Sequence, residues 1–302
     1  MKCASIDIGT NSVLLLVAEK SDSEFNVLHE IQELPRLGEG VDQDKRLGDE
    51  SRKRVISVLK SYKAYLTRHH PEIVRNTVVT ATSAVRDASN RDSFLKSVLN
   101  ETGWEIKLLS GNEEASTTYK GALRVLNLTE ENKYLVLDIG GGSTEFAFGI
   151  GSKLLSGISI DMGSVRFTER FFHKHTVNRS TVGAVREAVQ SNLAEIDSFI
   201  PPFTVVGVAG TVTSLAAVSK DIEQFDADKL NGLVLEKTEI DRCIDQFVGL
   251  TVIEIEELNP LFLKGRGDII LAGAIILSEF LHWCKSDSLL VSTGGIRHGI
   301  LA

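Results

Sequence analysis

Two carboxylates flank a glycine-rich turn in the middle of the chain. Asp138 precedes the turn, Glu145 comes after it, and the turn consists of Gly140, Gly141, Gly142 and Ser143. Apolar runs on both sides predict a strand, a tight turn and a returning strand. Glycine lets a backbone approach a ligand closely and present several N–H groups to it. This arrangement suits a phosphate.

The charges beside this turn predict a metal ion. Carboxylates next to phosphate oxygens repel them unless a hard cation lies between, so Asp138 and Glu145 indicate a Mg²⁺ site, with Mn²⁺ as an alternative. The competing interpretation is an ordinary hairpin in which Asp138 caps the turn, because short motifs also occur by chance.

The same pattern occurs near the start of the chain. Residues Asp7 to Ser12 repeat the Asp-Ile-Gly-x-x-Ser pattern of Asp138 to Ser143. Such a duplication predicts two similar lobes. We expect both turns to act on one ligand held between the lobes. The residues of the first turn that would bind it are Gly9, Thr10, Asn11 and Ser12.

Composition restricts the function classes. The 302 residues are 42% hydrophobic, enough for two ordinary domains, and the net charge of −8 argues against nucleic-acid binding. Three widely spaced cysteines predict neither a disulfide framework nor a zinc ribbon, and favour the reducing cytoplasm. The sequence also predicts no signal peptide and no membrane span. Oligomeric state stays open, with a homodimer among the alternatives.

Four further residues are candidates because of their position between predicted elements. Arg86 follows a predicted strand, where open α/β sheets bind ligands, and we expect it to face a phosphate as readily as solvent. Glu114 lies at a predicted helix start, where a glutamate is also an ordinary capping residue. Gly210 and Thr211 connect a strand to a helix and could offer N–H groups to an anion, or simply form a tight junction. Arg36, alone in a loop, is expected to be solvated.

The predicted elements alternate between strands and helices, so the fold class is α/β. The repeat places the domain boundary near residue 125, which gives an N-terminal lobe over 1–125 and a C-terminal lobe over 126–302. A short last helix could cross back to the first lobe. His173 and His175 are two residues apart at the end of a predicted helix, where they would point in different directions, so they predict no metal site.

Seven motifs along the chain resemble those of the exopolyphosphatase/guanosine pentaphosphate phosphatase (Ppx/GppA) family. They are DIGTNS at Asp7, RLGEGVD at Arg36, TSAVRDASN at Thr82, SGNEEA at Ser110, DIGGGSTE at Asp138, VAGTVTSLAA at Val208 and the closing GGIRHG. Their order and their span over nearly the whole chain make the set far more specific than any one motif.

The resemblance implies a fold and residue roles. The family has two ribonuclease-H-like lobes of the actin/Hsp70/sugar-kinase superfamily, with a cleft between them. By this likeness Glu114 is the catalytic glutamate, Arg86 binds phosphate, and Asp138 and Glu145 hold magnesium, with Asp7 directly or through water. The chain resembles a short form without the C-terminal HD-type domain of longer members. His298 stands where many relatives have glutamate.

We therefore predict a cytoplasmic phosphohydrolase that releases terminal orthophosphate from inorganic polyphosphate, an exopolyphosphatase in which Glu114 activates water. The alternatives are a guanosine pentaphosphate phosphohydrolase, an ATP-dependent kinase of the same fold, and a sensor that binds polyphosphate or an alarmone without turnover. A dinucleotide oxidoreductase is disfavoured because no G-x-G-x-x-G opens a helix after the first strand.

Overall fold

The protein is described by a computed structural model that covers residues 1–21, 25–126, 128–172, 178–197, 199 and 201–302. His173 and His175 lie outside the described residues. Two sheets organise the rest. The first has the strand order β3-β2-β1-β4-β5 and the second has the order β10-β11-β9-β6-β7-β8.

The first lobe is built in chain order from three antiparallel strands, then helices alternating with two parallel strands. Its elements are β1 (Lys2–Ile8), β2 (Val13–Lys20), β3 (Phe25–Glu33), α1 (Val41–Asp44), α2 (Asp49–His69), a 3-10 helix (Pro71–Asn76), β4 (Val78–Ala81), α3 (Ser83–Arg86), α4 (Arg91–Thr102), β5 (Ile106–Leu108) and α5 (Gly111–Arg124).

The second lobe repeats this plan and extends it. Its elements are β6 (Lys133–Ile139), β7 (Thr144–Ile150), β8 (Lys153–Ile160), α6 (Ser164–Phe171), α7 (Arg179–Ala194), β9 (Thr204–Val208), α8 (Ala209–Ser219), α9 (Ala227–Leu230), β10 (Val234–Glu236), α10 (Lys237–Phe247), α11 (Val252–Leu258), α12 (Pro260–Leu263), α13 (Ile270–Trp283), β11 (Ser288–Val291) and α14 (Ile296–Gly299).

Strand pairing is the same at the centre of both lobes. β1 pairs antiparallel with β2 and parallel with β4, and β6 pairs antiparallel with β7 and parallel with β9. Since parallel strands end at the same edge of a sheet, each glycine turn lies beside the carboxyl end of the next parallel strand. The duplication seen in the sequence is therefore a duplication of topology.

The helices pack on these sheets through their apolar faces. In α2, Val55, Leu59, Tyr62 and Leu66 are buried, which is the helical spacing expected for one apolar face, and they join the core of the first sheet. The largest core covers one face of the second sheet and includes most of α13, which is buried along its length. Burial of one such side chain contributes about 1.5–3 kcal/mol.

Helix α5 precedes the predicted boundary at residue 125 but packs on the second sheet. Its Ala115, Tyr119 and Ala122 share a core with Tyr134 and Val136 of β6. The last helix, α14, contacts the first lobe, because the Ser5 hydroxyl donates to the Arg297 carbonyl at 2.7 Å. The division at residue 125 stays a prediction.

Candidate active site

A cavity of about 310 Å³ opens between the two lobes, and both glycine turns line it. Its wall from the first lobe includes Asp7 and residues 9–12, and its wall from the second includes Asp138 and Gly140, Gly141 and Ser143. Gly142 lies behind this cavity wall and packs against Ser83. A Cβ on Gly142 would lie only 2.7 Å from the Ser83 hydroxyl oxygen. The two repeated motifs therefore meet at one place.

The first turn directs backbone N–H groups away from its supporting loop. The Gly9 amide donates to the Ser12 carbonyl at 2.9 Å, which closes the turn. The carbonyls of Thr10 and Asn11 accept from the amides of Gly38 and Arg36, at 2.8 and 3.0 Å. In a trans peptide the C=O and the N–H point in opposite directions. The N–H groups of Asn11 and Ser12 therefore face away from this loop.

The Asn11 side chain adds a polar group without a protein partner. It is 6% exposed and lines the cavity. Within the described part of the chain, neither its amide nitrogen nor its amide oxygen has a hydrogen-bond partner. An unpaired buried amide costs free energy, so its position at the cavity wall favours a polar ligand there.

The second turn is closed in the same way and supported by a helix. The Gly140 amide donates to the Ser143 carbonyl at 3.0 Å. The Gly140 carbonyl accepts from the Ser164 amide at 2.9 Å, and the Gly141 carbonyl accepts from the amides of Val165 and Arg166 at 2.9 and 3.0 Å. These donors begin α6, so the amides of Gly141 and Gly142 face away from that helix.

Contact between the turns explains why the second one needs glycine. A Cβ on Gly141 would lie 2.8 Å from Thr10 Cβ, closer than real Cβ atoms approach a neighbour. Asp138 is not the cap of a plain hairpin, because its carboxylate accepts from the Thr118 hydroxyl at 3.3 Å and lines the cavity. The hairpin itself is present as β6 and β7.

Asp7 and Asp138 stand at equivalent positions near the ends of β1 and β6, and both face the cavity. Burial and the charge of Asp138 raise the pKa of Asp7 to about 7. Burial also raises the pKa of Asp138 to about 6, although the Thr118 hydroxyl and the charge of Arg297 oppose the rise. A cation between the two groups would favour their ionised forms and lower both pKa values.

Glu114 and its neighbour Glu113 make different contacts. Ser110 and Glu113 form a capping box at the start of α5, so the ordinary capping explanation holds for Glu113. Glu114 is 5% exposed, lines the cavity and accepts from Arg86 at 2.8 Å. Burial raises the pKa of Glu114 to about 8, against the lowering effect of Arg86.

Arg86 and Glu145 lie behind Glu114. The guanidinium of Arg86 also donates to the Leu109 carbonyl at 3.2 Å. Glu145 is opposite Asp138 in the β6–β7 pair, is 1% exposed and accepts from the Ser159 hydroxyl at 2.6 Å. Burial and the charges of Glu114 and Asp138 raise the pKa of Glu145 well above its ordinary value.

The carboxylates fit a Mg²⁺ ion held partly by substrate. Within the described residues, no three His, Cys, Asp or Glu side chains form a group that could hold a metal ion by themselves. Mg²⁺ is usually held by one or two carboxylates together with water and phosphate oxygens. Asp7 and Asp138, both in the cavity wall, satisfy that requirement, whereas Glu145 lies one layer further back.

The strand-to-helix junction predicted at Gly210 and Thr211 also reaches the cavity. Helix α8 begins there at Ala209, whose φ of 67° is in the left-handed region that L residues rarely adopt. Backbone strain of this kind is often found at functional sites. The amides of the first turn of α8 are available to an anion.

Two arginines in the cavity wall carry no role in the sequence-based predictions. Arg266 lies so close to Gly210 that a Cβ there would clash with its guanidinium, and burial lowers the pKa of Arg266 to about 10. Arg297 donates to Glu30 at 2.8 Å and to the Thr293 carbonyl at 3.0 Å. The flanking Gly265 and Gly267 are the only sequence signal for Arg266, and Arg297 lies within the closing motif.

The structure also places two other residues that the sequence singled out, Arg36 and His298. Arg36 is not free in solvent, because its guanidinium forms a two-bond ion pair with Asp268 across the lobes, one bond at 3.2 Å. A lone arginine in a loop gives no sequence signal of so distant a partner. His298 is 1% exposed, and burial together with Arg297 and Arg124 lowers its pKa well below the ordinary value, so it is neutral.

The chain matches the Ppx/GppA phosphatase family over residues 16–302. It belongs to that family. Among curated relatives, a bifunctional 3-dehydroquinate synthase/phosphatase of Fusobacterium nucleatum is 36% identical over 98% of this chain and 46% of its own length. Exopolyphosphatase 2 of Mycobacterium tuberculosis is 32% identical over 99% of this chain and 97% of its own length.

Other Ppx/GppA relatives complete the comparison. The guanosine-5'-triphosphate,3'-diphosphate pyrophosphatase of Vibrio atlanticus is 30% identical over 98% of this chain and 58% of its own length. This chain therefore spans about half the length of some curated relatives and nearly all of others.

Solved structures agree with the fold. The family member from Aquifex aeolicus is 32% identical with a TM-score of 0.83, and covers 100% of this chain and 96% of its own. An exopolyphosphatase-like protein is 28% identical with a TM-score of 0.90, and covers 100% of this chain and 98% of its own. The predicted family and the predicted two-lobed, actin-like α/β fold class are confirmed. Across the described residues, every helix is too short or too polar to cross a bilayer.

Proposed function

We propose that this Ppx/GppA phosphatase hydrolyses the terminal phosphoanhydride bond of inorganic polyphosphate and releases orthophosphate. One observation carries the proposal: two turns of equivalent geometry present amides toward one cavity, beside the buried glutamate Glu114. The Mycobacterium tuberculosis exopolyphosphatase, of nearly the same length, supports this choice of substrate.

Alignment of the reacting groups and neutralisation of the phosphate charge would contribute most of the rate enhancement. Phosphoryl transfer needs an aligned nucleophile and neutralised charge on the transferred group more than it needs covalent help. In the proposal, the terminal phosphate is surrounded by the free amides of the two turns and of the start of α8. These belong to Asn11, Ser12, Gly141, Gly142, Gly210 and Thr211. The Asn11 side-chain amide and the guanidinium of Arg266 complete its polar shell, and Arg86, behind Glu114, adds positive charge. Donors fixed in advance in a buried site favour the transition state.

Glu114 would act as the general base. Its carboxylate takes a proton from the attacking water while the water oxygen forms a bond to phosphorus and the bridging P–O bond breaks. The shortened chain leaves with the bridging oxygen. A raised pKa suits this task, because a base near the working pH both accepts and gives up a proton readily.

Asp7 and Asp138 would hold Mg²⁺, and Glu145 would lie behind them as a supporting carboxylate. When bound, the ion supplies positive charge to the phosphate oxygens. The charge of Arg297 opposes the rise in the pKa of both aspartates and would favour their ionised forms, which bind the ion.

The first test compares substrates. Phosphate release is measured from short polyphosphate, long polyphosphate and guanosine pentaphosphate, each with magnesium and with chelator. We expect release from polyphosphate that depends on magnesium. Absence of release from all three substrates would overturn the proposal and favour a sensor.

The second test concerns Glu114→Gln, with Glu113→Gln as its matched control. The first variant should lose about 10²- to 10⁴-fold in kcat, because general bases contribute that much. It should still bind polyphosphate in a calorimetric titration. Glu113→Gln should retain activity, since glutamine also completes a capping box. Unchanged turnover in Glu114→Gln would remove Glu114 from its role.

Guanosine pentaphosphate is the second candidate substrate. Phe225, which is 52% exposed, lines the cavity that Arg266 also lines. An exposed aromatic ring can stack on a base, and polyphosphate has no base to offer. The substrate comparison separates the two candidates, and a Phe225→Ala variant should lose affinity only for the guanosine compound.

A further inference from the structure

Arg166, on α6, is a buried arginine that reaches both lobes. It is 5% exposed. Its Nε donates to the Gly142 carbonyl at 2.6 Å, while Nη1 donates to Asp42 at 2.6 Å and Nη2 to Asp87 at 2.7 Å. Gly142 belongs to the second turn, and both aspartates belong to the first lobe. Every nitrogen of the guanidinium therefore has an acceptor.

Arg166 completes a set of contacts that hold the whole second turn from behind. The backbone amides at the start of α6 already bind the carbonyls of Gly140 and Gly141. The side chain of Arg166 binds the third glycine carbonyl, that of Gly142. With all three carbonyls fixed on one side, the amides of Gly141, Gly142 and Ser143 are fixed toward the other side.

The two aspartates connect this support to the rest of the candidate site. Asp87 directly follows Arg86, which pairs with Glu114. Asp42 is at the start of α1, and it also pairs with Arg170 at 2.6 Å. The position of the second turn is thus tied through one guanidinium to the segment that holds the proposed base.

We propose that Arg166 is a positioning residue, which sets the second turn relative to the first lobe so that both sets of amides fit one phosphate. Only arginine can do this, because its planar fork bonds three acceptors in different directions, whereas lysine offers a single charged nitrogen. The inference rests on the proposed function for its effect on turnover, but the contacts themselves can be tested separately.

The experiment compares Arg166→Lys with Arg170→Gln. The control removes an ion pair to the same Asp42 and leaves the Gly142 carbonyl bonded. Two readouts are taken: kcat and KM for polyphosphate, and hydrogen exchange at the amides of Gly140, Ser164 and Val165, with α4 amides as an internal reference. Asp87→Asn is a second variant, which keeps the arginine and removes the negative charge of one of its partners.

We expect Arg166→Lys to lower kcat by about 10- to 100-fold with a smaller change in KM, because a donor displaced by about 1 Å can cost that much. Exchange at the three amides should become faster while α4 is unchanged. Asp87→Asn should change both readouts in the same direction by less. Arg170→Gln should leave both close to wild type.

The outcomes are distinguishable. If Arg166→Lys behaves like Arg170→Gln in either readout, the positioning role is overturned. A general loss of stability would speed exchange in α4 as well, and that result also overturns it. If the wild type releases no phosphate from any substrate, the proposed function fails, and the exchange comparison alone decides whether Arg166 holds the turn.

Discussion

The two glycine turns are closed by the same hydrogen bond but supported by different structures. In the first lobe, loop amides of Arg36 and Gly38 bind the turn carbonyls. In the second, the start of α6 and the side chain of Arg166 bind them. The duplication therefore preserves the surface that faces the ligand, while the supporting contacts differ between the lobes.

The lobes also differ in the segments that come after β5 and β11, the last parallel strand of each sheet. After β5 the first half of the chain supplies Glu114, which faces the cavity. After β11 the second half supplies Arg297 in the equivalent region. One repeat contributes a carboxylate and the other a cation. A duplicated fold thus becomes an asymmetric site, in which the two equivalent segments contribute side chains of opposite charge to the cavity wall.

The largest difference between the two turns is expected when one glycine in each is replaced by alanine. A Cβ on Gly141 would lie 2.8 Å from Thr10 Cβ, whereas the atom nearest to a Cβ on Gly9 would be the Ser12 carbonyl oxygen, at 3.3 Å. We expect Gly141→Ala to lower kcat/KM for polyphosphate by about 100-fold, since the turn must move by a large part of an ångström.

Gly9→Ala serves as the comparison and should lose less than about tenfold, because its closest contact needs only a small adjustment. Both variants are measured by phosphate release, with thermal unfolding to check folding. Equal losses in the two variants would mean that contact between the turns does not limit the site.

The pH dependence tests the asymmetric base. Because burial raises the pKa of Glu114 to about 8, the free enzyme holds this group largely protonated at lower pH. A protonated carboxyl cannot accept a proton, so kcat/KM should rise with pH through a midpoint at about 8 and level above it. Arg86 lowers that pKa, so Arg86→Gln should move the midpoint to higher pH.

Ionisation of the substrate would give a rise at a pH that Arg86→Gln does not change. Profiles of wild type, Arg86→Gln and Glu113→Gln, collected at constant magnesium and ionic strength, separate the two causes. A midpoint common to all three proteins would exclude Glu114 as the titrating group.

Acid should weaken the contact between the lobes at Asp42. Burial opposes the shift, but the hydrogen bond from Arg170 and the charge of Arg166 keep the pKa of Asp42 below its ordinary value of 3.8. A carboxyl with a lowered folded pKa stabilises the folded state above the unfolded pKa, and this contribution is lost as the pH falls through the folded pKa.

We therefore expect Asp42→Asn to unfold at lower urea than wild type at pH 7, and the difference to shrink below about pH 4. Asp44→Asn, an exposed change in the same helix, is the control. A difference that stays constant down to pH 3 would mean that the charge of Asp42 is not what stabilises the contact.

The smallest effect is expected at the first residue of α8. Ala209 has a φ of 67°, whereas Val208 before it has an ordinary φ of −125°, close to the −124° of Thr82 before α3 in the first lobe. Ala209→Gly should stabilise the protein by about 0.5–1 kcal/mol, because relief of left-handed strain exceeds the entropy cost of glycine.

A glycine inside the same helix should act in the opposite direction. Ala217→Gly should destabilise by about 1 kcal/mol, as expected for a helix interior. Thermal unfolding of both variants gives the comparison. If Ala209→Gly is as destabilising as Ala217→Gly, the left-handed conformation carries no strain.

Much of the architecture could be predicted from the sequence. The repeated Asp-Ile-Gly motif predicts two matching hairpins, and the spacing of Val55, Leu59 and Tyr62 predicts α2, because both depend on neighbours along the chain. Boundaries are less predictable: the β-branched residues over 76–84 predict one strand, but β4 is only Val78–Ala81, and Arg86 lies in the short helix α3. The residues after Ala81 continue the composition of a strand but turn toward the cavity.

The rest could not be predicted because it depends on contacts between distant segments. Arg166 looks like one charge on an amphipathic helix, and its partners Asp42 and Asp87 are far away in sequence. Arg266 lies in a loop between helices, and Arg36 pairs with Asp268 on the other lobe. The metal and catalytic assignments of Asp7, Asp138, Glu145 and Glu114 stay predictions.

The packing of α5 determines with which lobe Glu114, the proposed base, would move. Glu114 precedes β6 in the chain, yet its helix is buried on the second sheet through Ala115 and Tyr119, while Arg86 belongs to the first. If one half were to swing against the other, Glu114 would travel with Gly140–Ser143 and leave Arg86 behind. The distance between Arg86 and Glu114, now 2.8 Å, would then increase as the cavity between the lobes opens, so this ion pair is a measure of the motion.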